Sequence, residues 1–368
     1  AAMPIEHVIL TTDNCRYCLM CRHVCPVGHV TALETLTPHG WGLLAASQRR
    51  GLTEWNAETV KVMYSCADCG ACRAHCVTDQ PLPEAIAATR AEIAARNLAP
   101  VIAYQLNDAL KRWGNPYREQ APEGVSGSGE VALFVGDAAR YLWPDGVAGA
   151  LRLLKAVGIE PALIGVGRNN GYLASSLGFP DTAAALAHAT LDEIADVGAR
   201  QVLVLTPGDY FAFRQLLDER LGVLWPEGLA LQEVTVLLAE KLAEGALALN
   251  RWDQDTPYAY VDPTHSVRVT GRYDAPRRLL AAVMPGPGRE LYWRRERTHP
   301  TGSGALRWTN PHIARHLTYA RLSGAAEAGA RLIFCEDPAD LSALSEHAGM
   351  FGLRVEGLYE RLAQHLVS

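Results

Sequence analysis

The residues best suited to chemistry in this chain are its cysteines, because eight of the nine lie between positions 15 and 76. The ninth, Cys335, stands alone far downstream. The eight form two runs of identical C-x2-C-x2-C-x3-C spacing, a pattern typical of bacterial iron–sulfur ligation. The runs are Cys15, Cys18, Cys21 and Cys25, then Cys66, Cys69, Cys72 and Cys76. Pro26 follows the first run as is usual in such sites, whereas Val77 follows the second.

The spacing predicts how the thiolates are shared. Three closely spaced thiolates let a tight loop hold three corners of a cubane, and in two-cluster ferredoxins the fourth cysteine of each run ligates the other cluster. We therefore predict two [4Fe–4S] clusters with crossed ligands. The first would be held by Cys15, Cys18, Cys21 and Cys76, and the second by Cys66, Cys69, Cys72 and Cys25. This crossing would bring the runs together and place the clusters within single-electron transfer distance.

Other uses of eight cysteines fit the sequence less well. Four disulfides would suit a small secreted scaffold rather than a chain of 368 residues. Two structural zinc sites would use C-x2-C pairs separated by a longer spacer. A three-iron centre would need a missing ligand, and all eight positions are filled. Iron–sulfur ligation is the interpretation that the spacing favours.

The composition places these cysteines in an ordinary globular protein. Hydrophobic residues make up 49% and charged residues 20% of the chain, and the net charge of -6 gives no reason to expect nucleic acid as a partner. Charged or glycine residues interrupt every apolar stretch before it reaches the length of a membrane span. Residues 1–10 lack the features of an export signal. We expect a cytoplasmic protein that can dock peripherally at the inner face of the membrane.

The rest of the chain predicts a multidomain protein of mixed α+β and α/β class. Residues 1–113 are expected to form a helical, ferredoxin-like domain, in which Pro100 interrupts a helix over 82–112. Residues 114–130 are rich in Gly, Pro and Ser, which is typical of an exposed linker. Residues 131–255 and 256–368 each alternate short apolar runs with amphipathic helices, which predicts two duplicated α/β domains with mainly parallel sheets.

Individual elements follow from the same alternation. They are predicted strands at 131–135, 161–164, 201–205, 258–261, 290–293 and 331–334, and predicted helices at 147–157, 182–195, 277–284 and 311–328.

The order of the cysteine runs and the predicted α/β repeats resembles that of a known family. Two ferredoxin runs followed by two α/β repeats resemble the iron–sulfur subunits of the heterodisulfide reductase group, which includes the iron–sulfur subunits of glycolate oxidase and of anaerobic glycerol-3-phosphate dehydrogenase, and a lactate utilisation protein. The segment 262–268, DPTHSVR, is similar to the family's D-P-C-H-L-x-R, and 273–277, YDAPR, is similar to its Y-x-x-P-R. The segment 134–137, FVGD, resembles the F-x-G-C that opens its first repeat.

This chain departs from the family where the family's twin C-C-G repeats have cysteines. The residues at those positions are Asp137, Asn169, Asn170, Asp209, Thr264, Pro300, Thr301, Asp337 and Asp340. Asp, Asn and Thr are poor ligands for iron–sulfur cores. The resemblance therefore implies the shape of a degenerate C-C-G module without its disulfide chemistry.

The sequence thus predicts an iron–sulfur electron-transfer subunit of a hetero-oligomeric oxidoreductase. The resemblance implies a partner flavoprotein dehydrogenase, with FAD or FMN on that partner, and a quinone-linked or soluble acceptor. One alternative is a ligand-binding or assembly subunit. A heterodisulfide-type reductase is a weaker alternative because its ligands are missing. We expect no catalytic residue on this chain alone.

Other polar residues have simpler interpretations. The aspartates at the departed positions could bind a hard metal ion, but carboxylates after strands are more often helix N-caps, and both Asp209 and Asp337 fit that role. His265 and Arg268 follow a strand at the sheet edge where α/β proteins bind ligands, and we expect them to be structural.

Overall fold

The computed structural model describes residues 5–122, 126–267 and 272–367. Its N-terminal region is helical. The helices are α1 (Ile5–Asp13), α2 (Pro26–Thr31), α3 (Pro38–Arg49), α4 (Ala57–Met63), α5 (Ala71–Ala74), α6 (Leu82–Ala95) and α7 (Val101–Trp113), with 3₁₀ turns at Met20–Val24 and Glu34–Leu36.

The expected interruption at Pro100 is confirmed, because α7 begins at the next residue and ends at Gly114, which adopts a left-handed conformation.

A four-stranded parallel sheet follows. Its elements are β1 (Val131–Gly136), α8 (Asp137–Leu142), α9 (Pro144–Ala156), β2 (Ala162–Val166), α10 (Tyr172–Leu177), α11 (Pro180–Val197), β3 (Gln201–Val204), α12 (Pro207–Phe211), α13 (Leu217–Leu221), β4 (Ala230–Glu233) and α14 (Val234–Ala243), with a π-helical turn at Ala212–Leu216. The strand order is β2-β1-β3-β4. Leu133 and Leu203 pack on one face while Phe134 and Val204 pack on the other, so both faces are apolar and covered.

A second, three-stranded parallel sheet completes the fold. Its elements are β5 (Tyr258–Tyr260), α15 (Asp274–Val283), α16 (Leu306–Thr309), α17 (Pro311–Glu327), β6 (Leu332–Cys335), α18 (Pro338–His347), β7 (Arg354–Gly357) and α19 (Leu358–Gln364), with 3₁₀ turns at Thr264–Val267, Arg295–Arg297 and Ala348–Phe351. The order is β5-β6-β7. The strand predicted at 290–293 is wrong: only Arg289 forms a single parallel bridge, to Ala259.

The two sheets share a strand arrangement. In the first sheet, β1 lies between β2 and β3. In the second sheet, β5 lies in the same way between Arg289, which forms a bridge with Ala259, and β6. The duplication itself and the domain boundaries stay predictions.

The sequence missed β4 and β7, which occupy edges of the two sheets. Each begins with an exposed residue and continues with half-buried ones, so neither has the apolar run of a central strand.

The segment predicted as an exposed linker is only partly so. Asn115 is fully buried, and its side-chain amide donates hydrogen bonds to backbone oxygens of Trp113, Glu119 and Gly167. Ser126 forms a bridge with Leu163 in β2. The side chains from 118 to 120 are exposed as expected. The beginning of this segment is therefore packed against the first sheet because Asn115 replaces water as the partner of three carbonyl groups.

The cluster region and both α/β halves share one apolar core. Trp41, Tyr64 and Ile86 from the N-terminal helices belong to the same buried cluster as Leu177 of α10 and Ile313 of α17.

No helix among the described ranges has the length and apolarity needed to cross a membrane.

A close backbone approach at Gly178 lets this core form. Gly178 has a φ of 94°, and a Cβ added there would lie 2.5 Å from the backbone carbon and oxygen of Arg90 in α6. The cluster region therefore packs against α10 at a distance that only glycine permits.

We predict that Gly178→Ala lowers the free energy of unfolding by about 2–4 kcal/mol, because it adds left-handed strain and a clash with helix backbone. Gly158→Ala is the matched control, since its φ is 80° but nothing lies within 4 Å of the added Cβ; it should cost about 1 kcal/mol. Anaerobic denaturant unfolding measures both. Equal losses in the two variants would contradict the close-approach argument.

Candidate iron–sulfur site

The first cysteine run forms a tight loop after α1. Tyr17 and Leu19 have positive φ angles of 52° and 63°, which is uncommon for non-glycine residues. These two residues turn the chain so that it curls between its cysteines. Cys25 then caps α2, and its Sγ accepts a hydrogen bond from the backbone N–H of Gly28 at 3.4 Å. The partial positive charge of the helix N-terminus stabilises a thiolate at this position.

The second run repeats this conformation at matching positions. Asp68 has a φ of 52° and Gly70 a φ of 82°, two and four residues after Cys66, as Tyr17 and Leu19 stand after Cys15. The backbone N–H of Asp68 donates to the Sγ of Cys66 at 3.3 Å. The two runs therefore share a loop conformation as well as a spacing.

The loops bring four of the predicted ligands together into what we call the first cysteine group: Cys15, Cys18, Cys21 and Cys76. Burial, together with the neighbouring charges of Cys15, Cys76 and Cys18, raises the pKa of Cys21 to about 11. These four residues line one cavity of about 100 Å³, and Cys72 of the second run lines it as well. Burial opposes ionisation of Cys76, yet hydrogen bonds from Thr78 and Gln80 outweigh it and lower its pKa.

The other four predicted ligands form the second cysteine group: Cys25, Cys66, Cys69 and Cys72. Burial raises the pKa of Cys25, and the nearby Cys69 and Cys66 add to the rise. Burial also raises the pKa of Cys72, with Cys69, Cys66, Cys25 and Cys21 contributing. Cys72 also lines the cavity of the first group, so the two groups lie next to each other. The fourth cysteine of each run thus lies near cysteines of the other run, and the crossed ligation of two clusters stays a prediction.

The donor set fits iron–sulfur cores. Each group offers four soft thiols that repel one another when ionised, and bound iron would supply the positive charge that reverses the raised pKa values. Within the described ranges, no three His, Cys, Asp or Glu side chains converge on a single metal ion. A cubane has its four ligands on four different iron atoms, so it does not need three side chains to converge on a single ion.

Two buried arginines hold the second group's loop. Arg90, only 2% exposed, donates to the backbone oxygens of Met63 and Cys66. Arg220 forms a bidentate ion pair with Asp68, at 2.7 and 2.9 Å. Sequence reasoning missed both arginines because they lie far from the cysteine runs in sequence and their helices give no sign of an inward charge.

A second site lies where the two sheets meet. The residues at the positions that depart from the family line one cavity of about 140 Å³, at the carboxyl ends of the strands. They include Asp137, Asn169, Asn170, Asp209, Thr264, Pro300, Asp337 and Asp340. Ala67, between Cys66 and Asp68, lines the same cavity. The cavity therefore adjoins the loop of the second cysteine group.

The polar groups around this cavity are paired with one another. The amide of Asn169 donates to Asp137 at 3.0 Å, and that of Asn170 donates to Asp209 at 2.8 Å. The hydroxyl groups of Thr301 and Ser303 donate to Asp340.

The expected capping role is confirmed for Asp337, which accepts from the backbone N–H groups of Ala339 and Asp340 at the start of α18. It is wrong for Asp209, because Thr206 caps α12 and accepts the N–H of Asp209. A threonine three residues earlier already satisfies that helix end.

The carboxyl groups are held away from water. Burial raises the pKa of Asp137 to about 6 and that of Asp209 to about 7. Burial also raises the pKa values of Asp337 and Asp340. No lysine or arginine of the described chain lines the cavity.

His265 lies at the edge of the cavity, where its ring stacks on Phe211 at 5.1 Å. Arg268, the other candidate of that segment, falls outside the described residues.

Comparison with known proteins agrees with the first site. Residues 11–79 match the model of the 4Fe–4S dicluster domain. A crystal structure of a hypothetical protein from Helicobacter pylori is similar, with a TM-score of 0.64, 9% identity, and coverage of 90% of this chain and 69% of that chain. At this identity the likeness shows the fold alone. No curated protein matches the chain.

The N-terminal region is therefore a ferredoxin-like 4Fe–4S domain, which supports at least one [4Fe–4S] cluster. Relation to the heterodisulfide reductase group stays a prediction, because the matching model ends at residue 79.

Paired cysteine variants test the crossing. If Cys18 and Cys76 serve one cluster, Cys18→Ala/Cys76→Ala should retain one intact cluster and about half the iron, whereas Cys69→Ala/Cys76→Ala should damage both clusters. Iron content and paramagnetic resonance after anaerobic purification measure this. Cys335→Ala, which removes the isolated cysteine, should keep the wild-type iron content. The reverse outcome for the two pairs would mean that each run holds its own cluster.

The buried Asp209 predicts a pH dependence of stability. Its pKa of about 7 in the fold exceeds the ordinary value of 3.8, so the folded state binds the proton more tightly than the unfolded one, and stability falls as pH rises between these values. Asp209→Asn should remove this loss and gain about 2 kcal/mol over the wild type by the alkaline end of the range. Anaerobic unfolding in a series of buffers measures the slope, and the exposed Asp108→Asn variant should keep it. Parallel curves for Asp209→Asn and the wild type would refute the prediction.

Proposed function

We propose that this chain is an electron-transfer subunit with two [4Fe–4S] clusters, which accepts electrons singly from a flavoprotein dehydrogenase and passes them to a quinone-linked or soluble acceptor. The observation that supports it best is that Cys72, a member of the second cysteine group, lines the same cavity as the four members of the first group. When bound, a [4Fe–4S] cluster exchanges one electron at a time, which suits it to divide a two-electron flavin oxidation.

The surroundings of the two groups differ in a way that suits this role. Cys18 of the first group is exposed, whereas Cys25, Cys66 and Cys69 of the second are buried. A partner can therefore reach the first group directly, while the protein matrix screens the second from water. The apolar side chains around the first group, Tyr17, Met20 and Val77, are 39%, 39% and 77% exposed. Apolar residues at such a rim are suited to docking a redox partner.

The partner and its cofactor follow from the chemistry that this chain lacks. Its described residues offer paired, buried polar groups rather than a nucleophile and base aimed at a substrate, so oxidation of a small metabolite is assigned to a separate FAD- or FMN-containing subunit. This assignment makes the chain a member of a hetero-oligomer. The heterodisulfide-type reductase is the weaker alternative, because oxygen and nitrogen donors stand at the departed positions.

A ligand-binding or assembly role is the second candidate, and the cavity between the sheets favours it. Buried carboxyl groups and the rings of Tyr117, Tyr172 and Trp308 line this cavity, with no lysine or arginine among the described lining residues. Carboxylates and aromatic faces together suit a small organic cation. In this role the cysteine groups would be partly structural.

One experiment separates the two roles. The chain is purified anaerobically with co-expressed partners, and its paramagnetic resonance is followed during reductive titration. Electron transfer predicts two interacting [4Fe–4S] signals that appear reversibly when the flavoprotein is reduced by its substrate. Clusters that dithionite reduces but no partner can reduce would favour the binding or assembly role. A zinc-containing or colourless protein would overturn the iron–sulfur assignment itself.

A further inference from the structure

Arg90 is one of two buried arginines that contact the loop of the second cysteine group. It lies in the middle of α6, and its guanidinium donates only to backbone carbonyl oxygens. The Nε and Nη2 atoms donate to Met63 at 3.0 and 2.8 Å, Nη2 also donates to Cys66 at 2.8 Å, and Nη1 donates to Ser176 at 2.8 Å. The guanidinium also lies 5.1 Å from the centre of the Tyr64 ring.

The charge of Arg90 has no carboxylate partner. None of the ion pairs formed by the described residues includes it, whereas the nearby Arg220 is paired with Asp68, and Arg73 with Asp79 and Glu219. The buried Glu84 also lies near both arginines, so the charges of Asp68 and Glu84 largely cancel those of Arg220 and Arg73. Carbonyl dipoles solvate Arg90 without neutralising it, so one positive charge remains in a medium of low dielectric constant.

This charge is close to a predicted ligand. Arg90 is bonded to the carbonyl oxygen of Cys66, the residue whose Sγ belongs to the second cysteine group. One-electron reduction adds a negative charge at this group, and a fixed positive charge nearby stabilises the more negative state.

We propose that Arg90 is a positioning residue that holds the second group's loop and raises the reduction potential of the cluster bound there. The inference rests on the proposed function, since it assigns the buried group as the electron-accepting member of the pair. The electron would come from the reduced flavoprotein, or from dithionite in the test below, and no covalent bond forms or breaks. Paired charges such as Arg220–Asp68 would hold the loop without this effect.

The test compares charge-removing and charge-keeping variants. Arg90→Gln keeps a hydrogen-bond donor and loses the charge, whereas Arg90→Lys keeps the charge. Each full-length protein is titrated with dithionite while paramagnetic resonance follows both clusters. We expect Arg90→Gln to lower the midpoint potential of one cluster and leave the other near its wild-type value. Arg90→Lys should stay close to the wild type.

Arg361→Gln is the matched control. Arg361 is also largely buried and lies over an aromatic ring, at 3.9 Å from Trp252, but it belongs to α19 at the far end of the chain and pairs with Glu356. Its loss should leave both potentials unchanged. An unchanged potential in Arg90→Gln with full iron content would overturn the proposal.

Loss of iron from Arg90→Gln does not end the test, because Arg90→Lys then decides: a wild-type potential supports the role of the charge, and a lowered one refutes it. The chemical titration needs no physiological partner. If two clusters are present but no flavoprotein reduces them, the proposed function fails while the comparison of potentials still judges Arg90.

Discussion

The proximity of the two cysteine runs is the constraint on which the arrangement of this protein depends. Cys76 lies near Cys21 of the first run, and Cys25 lies near Cys66 and Cys69 of the second, as the predicted crossed ligation requires. With this ligation, neither group is complete unless the two loops lie against each other. The 40 residues between Cys25 and Cys66 must therefore bring the chain back to the first loop. Helices α2, α3 and α4 lie in this segment. Its residues Trp41 and Met63 are buried in the apolar core that the N-terminal helices share with α10 and α17. The core and the cysteine groups therefore form together, since each brings the ends of the other into place.

The α/β half contributes to this arrangement through contact rather than through ligands. The backbone of α10 meets α6 at Gly178, and the shared core extends to α17 of the second sheet. The loop between Cys66 and Cys69 is thereby fixed from three sides, by α6, by Arg220 of α13 and by Tyr172, whose hydroxyl donates to the carbonyl of Asp68. A buried loop with such partners loses little freedom when its thiols take up iron. The second sheet and its helices then act as a support for the cluster region.

Sequence predicted the parts whose signal is local. Cysteine spacing indicated both loops, and apolar runs located β1, β2, β3, β5 and β6. It could not predict β4 and β7, since edge strands need burial on fewer sides and β4 reads as polar as a loop. It also considered Asp137, Asp209 and Asp340 together as candidate ligands of a hard metal ion, but the cavity that they share depends on how the sheets pack. Asn115 was misread as linker because glycine and proline neighbours obscure its three buried hydrogen bonds.

The way Arg90 is anchored affects how sequence change acts on this fold. All of its acceptors are main-chain oxygens, and every amino acid supplies such an oxygen. Replacement of the side chain at Met63 or Ser176 leaves the acceptor in place, so the anchor tolerates drift at those positions. The arginine alone must be kept, and a lineage could vary its neighbours widely while retaining the same junction between helix and loop.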